Sequence, residues 1–197
     1  MNRVSTFLLG ATAGAALLAG AARQQPEPAK PASNPSGPSA IEAATPGAAH
    51  KRLMQRAGTY TTSTKFVGTG APPDSKGTAT IKAVLDGRFV LEENAGAFEG
   101  QPSAGLRVLG YNNATKQYEG FWMFTGSTAV MSLAGASADD GKTIELAGAF
   151  EAAPGVKQAF RIVNREIDAD HFVVEMHAKL PDGSEGAAFE TTYARSR

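Results

Sequence analysis

The sequence predicts an all-β fold: an antiparallel up-and-down barrel of about ten strands with a short N-terminal helix. Three observations carry this. From Gly58 onward the chain falls into runs of about eight to twelve residues separated by turn signals. No run is followed by a long helical pattern, so no βαβ unit and no parallel sheet is expected. Twenty-two glycines and eleven prolines with no cysteine describe a turn-rich chain stabilised by packing alone. At 197 residues and 42% hydrophobic content there is room for one domain of ordinary size.

The elements follow in order. Residues 1–22 read as a secretory signal: Arg3, then an apolar stretch through Phe7, Leu8, Leu9, Leu17 and Leu18, then small residues. The small-x-small rule places the mature start at Ala22 or Arg23. The stretch is short and rich in Ala and Gly for a permanent span of about 30 Å of hydrocarbon. A periplasmic or secreted location is the expectation, with no stable membrane insertion after cleavage. Without a cysteine thiol there is no lipid anchor. Residues 23–49 carry Pro26, Pro28, Pro31, Pro35, Pro38 and Pro46 and no aromatic residue, and read as a disordered Pro/Ala-rich linker. The domain then occupies 50–197. His50–Ala57 has good helix formers, brings Leu53 and Met54 to one side and stops at Gly58, with a start nearer Ile41 left open.

Ten strand runs follow: 59–67, 77–85, 88–95, 105–111, 117–124, 127–134, 143–151, 156–167, 171–180 and 186–194. Asp86-Gly87 supplies positive φ for a tight hairpin, Asn112-Asn113 tolerates the left-handed region, and Asp139-Asp140-Gly141 and Pro181-Asp182-Gly183 are turn chemistry. In 171–180, Phe172, Val174, Met176, Ala178 and Leu180 share the core face, opposite His171, Glu175, His177 and Lys179. In 156–167, Gln158 and Asn164 share a face with Val156, Phe160 and Ile162. Polar residues on an inward face point to a lined cavity. Closure removes the unpaired edges that an open sheet of this size would present.

Several stretches in this order resemble a bacterial family known as a domain of unknown function, number fifteen-seventy-nine. They are His50 and Leu53 before Gly58-Thr59-Tyr60, then Leu85-Asp86-Gly87-Arg88-Phe89-Val90, then Leu109-Gly110-Tyr111-Asn112-Asn113 with Lys116, Tyr118 and Trp122, and Tyr193-Ala194-Arg195. The resemblance spans roughly residues 50–195 and implies a lipocalin-like, calycin-type barrel and no established activity. The chain departs from the pattern at Tyr60, where Trp is usual, at Asp86 for glycine, at Asn112 for aspartate and at Phe124 for an acidic residue.

Nineteen Lys and Arg balance nineteen Asp and Glu, so no basic surface for nucleic acid is expected. The chain has three histidines. His171 and His177 are about 20 Å apart along one strand and cannot share an ion, so no metal and no cofactor are expected. Gly126-Ser127-Thr128 lacks the second glycine of a nucleophile elbow, and Glu92 and Glu93 point to opposite faces, so no catalytic set is expected.

What remains is an aromatic and methionine set spread over many strands. If it encloses a cavity rather than filling the core, the expected ligand-binding residues are Tyr60, Phe89, Trp122, Phe160 and Met176, with Arg88 or Glu93 as the orienting polar group. The leading functional expectation is an exported binding module for a small, mostly apolar ligand. The alternatives are a hydrolase or isomerase whose residues converge only in three dimensions, and a structural envelope domain with a filled core. Oligomeric state is not legible in the sequence.

Overall fold

A computed structural model describes residues 39–68, 71–180 and 183–197. The expected signal (1–22), residues 23–38 of the expected linker, Thr69 and Gly70, and Pro181 and Asp182 of an expected turn lie outside the described residues. Two short helices, α1 (Ala40–Ala44) and α2 (Ala48–Met54), precede ten strands. These are β1 (Gly58–Phe66), β2 (Ser75–Val84), β3 (Phe89–Phe98), β4 (Gln101–Asn112), β5 (Gln117–Phe124), β6 (Met131–Ala136), β7 (Thr143–Ala153), β8 (Val156–Glu166), β9 (His171–Lys179) and β10 (Glu185–Arg195). Every strand pairs antiparallel with its sequence neighbour, and β1 pairs with β10 to close the barrel. The up-and-down barrel expected from the alternation is the fold observed.

Three local differences from the sequence reading have physical causes. First, residues 39–49 do not continue a disordered linker. Ser39 and Glu42 form a capping box around the start of α1, and Asn113 Nδ2 donates to the carbonyls of Glu42, Ala43 and Thr45, fastening that segment to the β4–β5 turn. Pro46-Gly47 then separates α1 from α2, where one helix was expected. Second, β3 and β4 extend to meet at Glu99-Gly100, both at positive φ (51° and 74°), a two-residue hairpin that Pro102 and the surrounding glycines had obscured. Third, the left-handed residue of the β4–β5 turn is Lys116 (φ 59°), not an asparagine. Asn112 instead holds the turn by accepting from the Ala114 and Thr115 backbone N–H groups.

The barrel is filled at one end and open at the other. At the filled end α2 lies across the opening, burying Leu53 and His50. Beneath it, Phe172 stacks on Tyr193 at 4.2 Å between ring centroids, Tyr60 meets Phe172 edge-on, and Ile144, Leu146 and Leu109 complete the core. Gly141 approaches this end closely: an added Cβ would lie 2.8 Å from Tyr118 Oη, and its φ of +85° suits glycine.

Candidate functional site

The open half of the barrel encloses a cavity of about 460 Å³, its mouth on the side away from α2. One wall is apolar: Phe150 on β7, Phe160 and Ile162 on β8, Val174 and Met176 on β9, and Phe189 on β10. The facing wall is polar and is set by register. Glu92 on β3 stands opposite Arg107 on β4, and Arg107 opposite Trp122 on β5, so the three side chains form one row across adjacent strands. One step toward the mouth, Asn94 stands opposite Gly105, and Gly105 opposite Phe124.

At the base of the polar wall lies a buried ion pair. Arg107 Nη2 donates to Glu92 Oε2 in a charge-assisted hydrogen bond, and Arg107 Nη1 donates to Asn164 Oδ1 at 2.8 Å. Tyr193 Oη donates to Glu92 Oε1 at 2.8 Å, and Asn94 Nδ2 approaches the same oxygen at 3.4 Å. Burial works against the Arg107 charge, but Glu92 and Tyr193 outweigh it and raise the guanidinium above its ordinary value. Burial, followed by the charge of Glu92, pushes the Tyr193 phenol well above its usual range, so Tyr193 remains a hydrogen-bond donor at neutral pH. A second buried cation, Arg56, lies under α2, its guanidinium 5.5 Å from the Phe172 ring centroid and 3.3 Å from the Gly141 carbonyl. Burial, then the charge of Arg107, lowers it to about 10, so it stays protonated at neutral pH.

Of the residues expected to line a cavity, Trp122, Phe160 and Met176 do so. Tyr60 does not: it is 2% exposed in the filled half, with its hydroxyl donating to the Arg56 carbonyl at 2.8 Å. Arg88 sits in the β2–β3 turn, where it reaches the Leu85 carbonyl and Asp86. Phe89 lies on the outer face with its ring over Gly110, where an added Cβ would come within 2.4 Å of Phe89 Cδ1. Glu93 faces outward and pairs with Lys82 at 2.7 Å. The phase of β3 is the cause: apolar residues occupy both faces of Phe89-Val90-Leu91, so alternation alone does not say which carboxylate turns inward.

The inward acid is Glu92, and sequence reasoning missed both it and its partner Arg107. One signal was available. Arg107 shares the parity of Gly105 and Leu109 in an otherwise apolar run, placing a cation on a core-facing position that requires a buried counter-charge. The histidines are dispersed: His50, buried on α2, accepts from Gly47 N–H at 3.0 Å, while His171 and His177 face outward beside Asp168 and Glu175. Among the described residues no three His, Cys, Asp or Glu side chains converge as metal ligands.

Comparison with solved structures finds chains that align with this one. A crystal structure of Rv2717c from M. tuberculosis aligns with a TM-score of 0.58 and 13% identity, covering 78% of this chain and 100% of that one. A redesigned beta barrel aligns with a TM-score of 0.40 and 11% identity over 76% of this chain and 96% of its own. At these identities the likeness to Rv2717c concerns the fold alone. No curated protein matches the chain. The sequence profile described as "Protein of unknown function (DUF1579)" matches residues 45–195, which span α2 and all ten strands, and the chain belongs to that family.

Proposed function

We propose that this protein is a binding module that holds a small, mostly apolar molecule in the open half of its barrel and does not transform it, working after export from the cytoplasm. The observation that supports this reading is the cavity: about 460 Å³, lined mainly by aromatic and aliphatic side chains, with a few polar groups gathered on one wall. Its size falls within the roughly 300–1,000 Å³ of small-molecule sites. A domain whose role was purely structural would gain stability by filling this space with side chains, as the other end of the barrel does.

The polar groups suit orientation of a ligand better than proton transfer. Glu92 is held by Arg107 and Tyr193, and Tyr193 holds its proton far above neutral pH. The test has two parts. Native mass spectrometry of protein purified from its own host is expected to show a non-covalent adduct that is lost on denaturation. An uncharged fluorescent dye, N-phenylnaphthylamine, is expected to bind the wild type, and Ala188→Phe, which fills the cavity, is expected to abolish that binding. A protein with neither adduct nor dye binding would overturn the proposal.

A further inference from the structure

The distribution of charge and of unsatisfied hydrogen-bonding groups inside the cavity narrows the class of ligand. Arg107 and Glu92 neutralise one another, and their further bonds are to Asn164, Tyr193 and the Asn94 amide nitrogen. A ligand carboxylate entering here would bring a second negative charge beside Glu92 to share one guanidinium, leaving an uncompensated charge out of water. A ligand ammonium would meet Glu92 already paired and Arg107 beside it. Neither ion is well served.

Hydrogen bonding is available one step closer to the mouth. Among the described residues Trp122 Nε1 donates to no protein group, and Asn94 Oδ1 accepts from none; the one bond of the Asn94 side chain runs from Nδ2 to Glu92. Both atoms pack over the face of β4 at Gly105, in the space a side chain at 105 would need. A Cβ added there would lie 2.8 Å from Asn94 Oδ1 and 2.9 Å from Trp122 Nε1. One donor and one acceptor side by side match a group that both accepts and donates without carrying charge.

We infer that the ligand is an uncharged amphiphile, whose amide or hydroxyl end group meets Asn94 Oδ1 and Trp122 Nε1 from the cavity side, where the two side chains pack over Gly105. Its hydrocarbon part lies against Phe150, Phe160 and Met176. This inference rests on the binding reading above and deepens it.

Displacement of N-phenylnaphthylamine by dodecanamide, dodecanol and dodecanoate, which share one chain and differ in end group, tests it. The amide and the alcohol are expected to compete, with dodecanoate weaker by about tenfold or more. Trp122→Phe keeps an aromatic ring and deletes the N–H donor. It is expected to weaken dodecanamide roughly three- to tenfold more than it weakens the dye. Glu92→Gln, provided circular dichroism shows it folded, is expected to shift preference toward dodecanoate, because Arg107 then lacks its counter-charge. If that variant does not fold, the selectivity series and Trp122→Phe decide. Dodecanoate binding as tightly as the amide, or Trp122→Phe weakening the amide no more than the dye, overturns the inference while cavity binding stands. Failure of the dye itself to bind overturns the binding reading and the inference with it.

Discussion

Tyr193 Oη donates to Glu92 Oε1 at 2.8 Å, joining the last strand to the third across 101 residues of sequence and supplying the carboxylate with a partner besides Arg107. The two partners are not equivalent. Tyr193→Phe removes one neutral donor and leaves the ion pair, at an expected cost of about 1–3 kcal/mol. Glu92→Ala strands a buried guanidinium, at about 3–5 kcal/mol. The double change Glu92→Leu with Arg107→Leu is expected to cost less than the two single losses added. Urea denaturation of the wild type, Tyr193→Phe, Glu92→Ala, the double variant and its two single Leu components checks the order; equal losses for Tyr193→Phe and Glu92→Ala would contradict it.

Trp122 stacks on Phe124 at 4.9 Å and borders the cavity, so it is half-buried against protein and half against an open chamber. Trp122→Ala is therefore expected to cost about 1–3 kcal/mol, below the roughly 3–5 kcal/mol of a fully enclosed aromatic. As the chain's single tryptophan, it also reports on the site: emission is expected to move to shorter wavelength when dodecanol is added. A spectrum of fully hydrated indole that dodecanol leaves unchanged would place the ring outside the chamber.

His50 gives the fold a pH-dependent component. Burial lowers its pKa below the ordinary value of 6.5, opposed by a backbone hydrogen bond with Tyr111, with Arg88 lowering it further. The folded state therefore binds this proton less readily than the unfolded chain. Its full stability is present above about 6.5 and declines as pH falls through that value toward the depressed folded pKa. Thermal melts from pH 8 to 5 are expected to show this decline and His50→Gln to flatten it; an unchanged slope in the variant would assign the effect elsewhere.

Asn113 fastens α1 through three carbonyl contacts of 2.7–3.3 Å. Limited proteolysis of the wild type is expected to trim the chain no further than about Ser39. Asn113→Ala is expected to expose α1 and move the boundary past Thr45, with a barrel stability change of about 1 kcal/mol or less. Identical fragments from both proteins, measured by mass spectrometry, would show that α1 is held by something else.

The strands were legible because a barrel strand carries its phase in its own residues: the inward Phe172, Val174 and Met176 of β9 follow from alternation alone. The same rule placed Trp122, Phe160 and Met176 toward the interior. It failed for Phe89 and Glu93, where both faces of the strand are partly apolar and the phase is set by the register to β4, which brings Arg107 against Glu92. Tyr60 was assigned the right face and the wrong depth. Its distance from the mouth depends on α2 crossing the barrel end, which no periodicity within β1 records. Asn113 carried no local sign of its role, because the carbonyls it satisfies lie 68 to 71 residues away.

The seam between β1 and β10 has a consequence for how the molecule is made. Arg195 reaches back from the end of β10 to the carbonyls of Ala57 at 2.7 Å and Gln55 at 3.0 Å, and its guanidinium covers the Tyr60 ring. The pairing this secures joins residues such as Thr64 and Thr191, 127 apart, whereas the other strand pairings are hairpins between sequence neighbours. Closing that long loop carries the largest entropic cost of any pairing and belongs late in folding. Until that seam forms the strands make an open, curved sheet, and without β10 the chamber lacks Thr191, Tyr193 and Phe189 from its wall. A growing chain is thus unable to trap a ligand before β10 is available. A chain shortened by its final strand would leave β1 and β9 as two open edges, prone to pairing with other chains, rather than form a weaker binder.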